Sequence, residues 1–168
     1  MSNMRTVLLS NKEINQRINR LAYQVYEDNP DEKEIILAGI LQSGFKVAQM
    51  LNDVIQRISA LKTTLVKVEI DKHSQVEKEI KISIPREQLS GKTIILIDDV
   101  LNSGKTMMYA LKPFLNADIR KVRTVVLVDR NHRRYPVATD FSGLTLSTTL
   151  KEHVSVEFTG DEAIAYLD

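Results

Sequence analysis

The residues of this chain best suited by type and spacing to chemistry lie in "IILIDDVLNSGKT", residues 94–106. An apolar run ends in the adjacent carboxylates Asp98 and Asp99. Val100 and Leu101 follow, and then Asn102, Ser103, Gly104, Lys105 and Thr106. Two carboxylates at that spacing can hold a metal, move a proton or accept hydrogen bonds from hydroxyl groups. The Gly-Lys-Thr invites comparison with a nucleoside-triphosphate loop, but that loop needs a second glycine five positions before Gly104, where this chain has Asp99. What remains is a strand, an acid pair, and a turn with small and hydroxyl residues that opens a helix. Backbone N–H groups in such a turn form a nest for an anion.

The acids repel a phosphate, so they are better placed to accept from sugar hydroxyls while the turn takes a phosphate. A ribose 5-phosphate carries both features at the right separation. An acid pair alone is just as compatible with simple helix capping. A buried strand that ends in two adjacent charges, however, is costly unless something satisfies them.

The elements that position this stretch follow from periodicity. Ser10 with Glu13 has capping-box spacing, and Ile14, Ile18, Leu21, Ala22 and Val25 recur at helical intervals up to Asn29-Pro30, which predicts a helix from about Asn11 to about Glu27. "EIILAGI" (34–40) is a continuous β-branched run, the pattern of a strand covered on both faces. After the small-residue turn Leu41, Gln42, Ser43 and Gly44 comes a second amphipathic helix. "TTLVKVEI" (63–70) and "VEKEIKISI" (76–84) read as a hairpin able to move about the polar "DKHSQ". "TIILID" (93–98) and "VRTVVLV" (122–128) are further buried strands, Pro113 kinks or ends the helix after Thr106, and "DEAIAYLD" adds a last helical turn. Strands alternating with helices predict an α/β architecture with a parallel sheet, whose ligand site lies beyond the carboxyl ends of the strands. The turns after Ile40, Ile97 and Val128 share that edge.

At 168 residues and 43% hydrophobic composition, the chain reads as a single domain, residues 1–168, able to bury its own core. It has no cysteine, 23 basic and 22 acidic residues, and no apolar run of membrane-spanning length, which predicts a cytoplasmic protein with no membrane partner. A net charge of +1 gives no global attraction to nucleic acid, and the cluster Arg130, His132, Arg133 and Arg134 is the local exception. His73, His132 and His153 show no metal-ligand spacing.

The stretch 94–106 resembles the phosphoribosyl-pyrophosphate (PRPP) signature of the type I phosphoribosyltransferases. "VLVDRNHRRYPVATDFSG" (126–143) and the "VSVEF" near the end resemble the pyrimidine operon attenuator and uracil phosphoribosyltransferase branch, where the first motif reads Val-Asp-Arg-Gly-His-Arg. The resemblance implies a central, mainly parallel sheet flanked by helices, with a small hood from the N-terminal segment and about 130–168. It implies that Asp98 and Asp99 are the catalytic pair and hold the ribose hydroxyls, and that PRPP is bound along Val100, Leu101, Asn102, Ser103, Gly104, Lys105 and Thr106.

Pyrophosphate then falls to Leu41, Gln42, Ser43 and Gly44, the base and hood to Arg130, Asp140 and Phe141, and a lid to Lys72 and His73. Mg²⁺ arrives on PRPP rather than in a protein cage. Transfer of ribose 5-phosphate to a nucleobase, uracil favoured, is the activity implied, in a homo-oligomer of two or more chains. Two alternatives stay open. One is a nucleotide- or PRPP-sensing regulator that binds RNA with little catalysis. The other is a hypoxanthine-guanine type enzyme, which "GILQSGF" (39–45) resembles more closely. Against the purine reading, Asp129 stands where that branch has a base-binding lysine, and Asn102 stands where it has an acid.

Overall fold

The computed structural model describes residues 4–71, 79–149 and 152–168. Six strands form the main sheet in the order β4-β3-β2-β5-β6-β7: β2 (Glu34–Ile40), β3 (Lys62–Ile70), β4 (Ile80–Ile82), β5 (Thr93–Leu101), β6 (Lys121–Asp129) and β7 (Phe141–Thr145). All pairings are parallel except that of β3 with β4. Three more strands, β1 (Thr6–Leu9), β9 (Glu162–Leu167) and β8 (Val154–Thr159), form a separate antiparallel sheet in that order. The helices are α1 (Asn11–Glu27), α2 (Ser43–Ile58), α3 (Lys105–Ala110) and α4 (Lys112–Leu115).

Alternation along the buried strands divides the core in two. Ile35 and Leu37 of β2, with Ile95 and Ile97 of β5, pack with α1, α2 and the small sheet. Ile36 and Ala38, with Ile94 and Leu96, pack on the other face with Met107 and Phe114 of α3 and α4. Each fully buried aliphatic side chain contributes roughly 1.5–3 kcal/mol by leaving water, so register in the main sheet is strongly held. The alternation reverses across the two acids: Val100 lies with Ile95 and Ile97, and Leu101 with Ile94 and Leu96. Asp98 and Asp99 therefore occupy the point where β5 turns over, and both are half-buried.

Helix α1 starts as the capping box requires. Ser10 Oγ accepts from the Glu13 N–H at 3.2 Å, and Glu13 Oε1 accepts from the Ser10 N–H at 3.2 Å. The helix after Thr106 is interrupted at Leu111, two residues ahead of Pro113, which sits in the first turn of α4, where a missing N–H costs nothing.

The expected helical turn at "DEAIAYLD" is overturned, because these residues form β9. Ala163 and Ala165 are buried while Glu162, Ile164 and Tyr166 are not, which is the period of a strand, and pairing with both β1 and β8 outweighs the helix preference of alanine. The predicted strand 76–84 is present only as β4, and residues 76–78 lie outside the described residues.

Arg5 clamps β1 to the last strand. Its Nε donates to Asp168 Oδ1 at 2.7 Å, its Nη2 pairs with Glu157 Oε1 at 2.7 Å, and the guanidinium lies 4.0 Å from the Tyr166 ring centroid. The Arg5 hydrogen bond, followed by that of Ser155, holds the Asp168 carboxyl below the usual aspartate range. A carboxyl depressed on folding adds stability above its unfolded value of about 3.9 and loses it as pH falls through the folded value. All partners are exposed, so the effect is small. In thermal melts Arg5→Ala is expected to melt below the wild type at pH 7, with the gap closing below about pH 4; a gap unchanged at pH 3 would contradict the assignment.

Candidate functional site at the carboxyl edge of the sheet

The carboxyl ends of β2, β5 and β6 bring three turns together. At the end of β5, Asp98 Oδ1 accepts from the Asp99 N–H at 2.8 Å, and Asp99 Oδ1 accepts from the Val100 N–H at 2.8 Å. Each bond fixes a carboxylate against the next peptide and sets the pair at a constant angle to the sheet edge.

Beyond them residues 98–107 line a concavity of about 100 Å³, the size of a small anion rather than a whole nucleotide. Ser103 Oγ accepts from the Lys105 N–H at 3.3 Å. The N–H groups of Asn102, Ser103 and Gly104 make no hydrogen bond to another described residue, so they remain donors for an anion. Gly104 has φ +88°, and a Cβ there would lie 2.5 Å from Val137 Cγ1. The turn needs glycine both for its left-handed backbone and for the close approach of Val137.

The turn after β2 packs directly on the acids. A Cβ on Gly44 would lie 2.7 Å from the Ile97 carbonyl oxygen and 3.0 Å from Asp98 Oδ1. The peptide between Leu41 and Gln42 is cis. Leu41 and Gln42 border a second concavity of about 650 Å³, shared with Glu69, Asp71, Glu79 and Lys81. Its lining among the described residues carries three carboxylates and one ammonium group. Among the described residues no three His, Asp or Glu side chains converge as a metal cage.

The turn after β6 packs on the backbone of the 101–104 turn. The Arg134 and Tyr135 N–H groups donate to the Ser103 carbonyl at 2.8 and 3.1 Å, and the Arg130 N–H donates to that of Leu101 at 3.2 Å. Asp129 is buried, and its Oδ1 accepts from the Asn131 N–H at 2.8 Å. Its Oδ2 accepts from Thr139 Oγ1 at 3.2 Å and meets Arg133 Nη2 at 3.4 Å. Asn131 adopts φ +55°, a conformation asparagine tolerates better than most residues. Arg130 is buried as well and donates through Nη1 to Asn102 Oδ1 at 2.8 Å.

The structure thus gathers Leu41 to Gly44, Asp98 to Thr106 and Arg130 along one edge. It does not bring Asp140 and Phe141 to that edge. Asp140 Oδ2 accepts from the Thr124 N–H at 2.8 Å, and Phe141 pairs with Val125 at the middle of β6 and packs on the core. The lid residues Lys72 and His73 lie outside the described residues. Sequence reasoning missed Tyr135 and Val137, which pack against Gly104, and Lys81, which lines the second concavity with Leu41 and Gln42. These contacts join residues far apart in the chain, and nothing local marks them.

The phosphoribosyl transferase domain family model matches residues 4–159. The chain is 31% identical over 165 residues to the bifunctional protein PyrR of Clostridium acetobutylicum, covering 94% of this chain and 93% of that one. It is 34% identical over 155 residues to the bifunctional protein PyrR of Microcystis aeruginosa, covering 89% and 88%. A hypoxanthine-guanine phosphoribosyltransferase from Bacillus anthracis superposes with a TM-score of 0.77 over 96% of this chain and 97% of that one. At 19% identity that likeness is one of fold. No helix among the described residues is long and apolar enough to cross a membrane.

Proposed function

Because the chain belongs to the phosphoribosyl transferase domain family, we propose that it transfers ribose 5-phosphate from PRPP to a nucleobase, uracil in preference to a purine, with release of pyrophosphate. That it is a phosphoribosyltransferase follows from the family; the base and the residue roles are our reading. Asp98 and Asp99 accept hydrogen bonds from the ribose hydroxyls, and the N–H groups of residues 102–104 receive the 5-phosphate. Pyrophosphate lies toward Leu41 to Gly44.

The base nitrogen forms its bond to C1 of the ribose as the bond from C1 to pyrophosphate oxygen breaks. The nitrogen's proton is lost to solvent, and the leaving electron pair stays on pyrophosphate. The transition state has oxocarbenium character, as in glycoside transfer. Two carboxylates fixed beside the sugar favour its developing positive charge, and they do so without reorganising during the reaction.

Among the described residues Glu69, Asp71 and Glu79 line the concavity beside Gln42, which suits pyrophosphate carried as a magnesium complex, whose hard cation would offset the charge of the leaving group. The same reading places the enzyme in the cytoplasm as a homo-oligomer.

The observation that carries the preference for uracil is the buried carboxylate of Asp129. A purine's O6 needs a donor where the related purine enzymes have lysine. Here the group is an acceptor already engaged by Asn131, Thr139 and Arg133. Incubation with PRPP, Mg²⁺ and uracil, hypoxanthine, guanine or xanthine in parallel is expected to yield nucleotide from uracil, followed by chromatography. Product from a purine alone would refute the base assignment. The turn after β2 favours a second reading, a PRPP-sensing regulator acting on RNA, since Gln42 supplies no charge for pyrophosphate. Binding of PRPP without product from any base would select it.

A further inference from the structure

Arg130 is the one buried basic side chain among the described residues. Its Nε donates to Thr148 Oγ1 at 3.0 Å, its Nη1 to Asn102 Oδ1 at 2.8 Å, and its Nη2 to the backbone carbonyls of Thr149, at 3.3 Å, and Glu152. All four acceptors are neutral. Among the described residues no carboxylate forms an ion pair with the guanidinium: Asp129 pairs with Arg133, and the Glu152 carboxylate accepts from the Thr149 N–H at 2.7 Å. A guanidinium is charged at any accessible pH, and burying it without a counter-ion is unfavourable. Evolution of a fold has little reason to keep such a charge for packing, since an apolar side chain of similar volume fills the space at lower cost.

The hydrogen bond to Asn102 has a second consequence. Arginine offers only donors, so the asparagine must turn Oδ1 toward Arg130. Its Nδ2 hydrogens are then left over, on a residue that lines the phosphate-sized cup. The bond thus orients the amide as a donor beside the N–H groups of Ser103 and Gly104. Through Arg130 it also ties the cup to Thr148, Thr149 and Glu152.

We propose that Arg130 is the positioning residue of the phosphate cup: it locks Asn102 as a donor and holds a buried positive charge whose counter-ion is the phosphate of the bound ligand. The assignment rests on the reading that residues 102–106 receive the 5-phosphate of PRPP. It differs from the expectation that Arg130 contacts the base, since four of the five N–H groups of its side chain donate within the protein.

The test is a double-mutant cycle on Arg130→Lys and Asn102→Ala, with nucleotide formation followed at varied PRPP and at varied base. Each single change is expected to raise KM for PRPP about tenfold, the scale of a charge-assisted hydrogen bond, with kcat and KM for the base within about twofold. The double variant is expected to be no worse than the weaker single, because both changes break one link. A wild-type KM in Arg130→Lys, or losses that multiply in the double variant, overturns the proposal.

Should Arg130→Lys fail to fold, Asn102→Asp decides. It gives the guanidinium its missing counter-charge, so Tm without ligand is expected to rise while PRPP binds more weakly; an unchanged or lower Tm overturns the proposal. If the wild type makes no nucleotide from any base, the catalytic reading fails separately, and the same cycle is read as Kd for PRPP with Mg²⁺ by calorimetry. No binding of PRPP by the wild type sinks both.

Discussion

Turnover of the Asp98→Asn, Asp99→Asn double variant is expected to fall about 10²- to 10³-fold, while its Kd for PRPP rises far less. The substitution is nearly isosteric, and each asparagine keeps an Oδ1 to accept from the N–H of the following residue, as both aspartates do now at 2.8 Å. The loop geometry is therefore retained and the ribose hydroxyls still find acceptors. What disappears is negative charge beside C1, which matters chiefly when the sugar becomes cationic. An interaction made mainly in the transition state shows up in kcat rather than in binding. Single-turnover rates and PRPP affinity measured on the same preparation decide the matter, and equal losses in both would mean that the acids only grip the sugar.

The Gly44→Ala variant is the second large effect. The added Cβ would lie 2.7 Å from the Ile97 carbonyl oxygen and 2.9 Å from Asp98 Cα, both backbone atoms that cannot rotate away. Helix α2 must then back off β5, which parts the turn after β2 from the acids. Overpacking of this kind costs roughly 1–3 kcal/mol, a Tm lower by about 3–10 °C in a chain of this length. Displacing one half of the site from the other by about 1 Å is expected to cost activity about 100-fold. Wild-type Tm and wild-type KM for PRPP in this variant would show that the two turns do not depend on their close packing.

How much of this was legible beforehand differs from element to element. Helix α1 was readable to the residue, because the Ser10–Glu13 box and the Ile14 to Val25 spacing are local signals. The buried strands β2 and β6 were readable from their unbroken apolar runs, whose burial on both faces needs no knowledge of partners. The turn at residues 102–106 was legible as a candidate anion site because the chemistry of its residues is contiguous. Strand β9 was misread, since the two alanines and flanking acids of "DEAIAYLD" suit a helix until two neighbouring strands are supplied. The family resemblance places Asp140 and Phe141 at the base, whereas register against Thr124 and Val125 sets them partway down β6.

Residue order alone determined that a strand would end in two acids ahead of a small-residue turn, and that parallel β-α units would carry that turn to the sheet edge. These are properties of periods and neighbours a few positions apart. Only the tertiary structure decided which distant groups meet there: Gly44 against Asp98, Val137 against Gly104, and the buried Arg130 against Asn102. The physical reason is that such contacts are made by sheet register and the packing of two cores, whose free energy is shared by the whole chain and is written in no single segment of it.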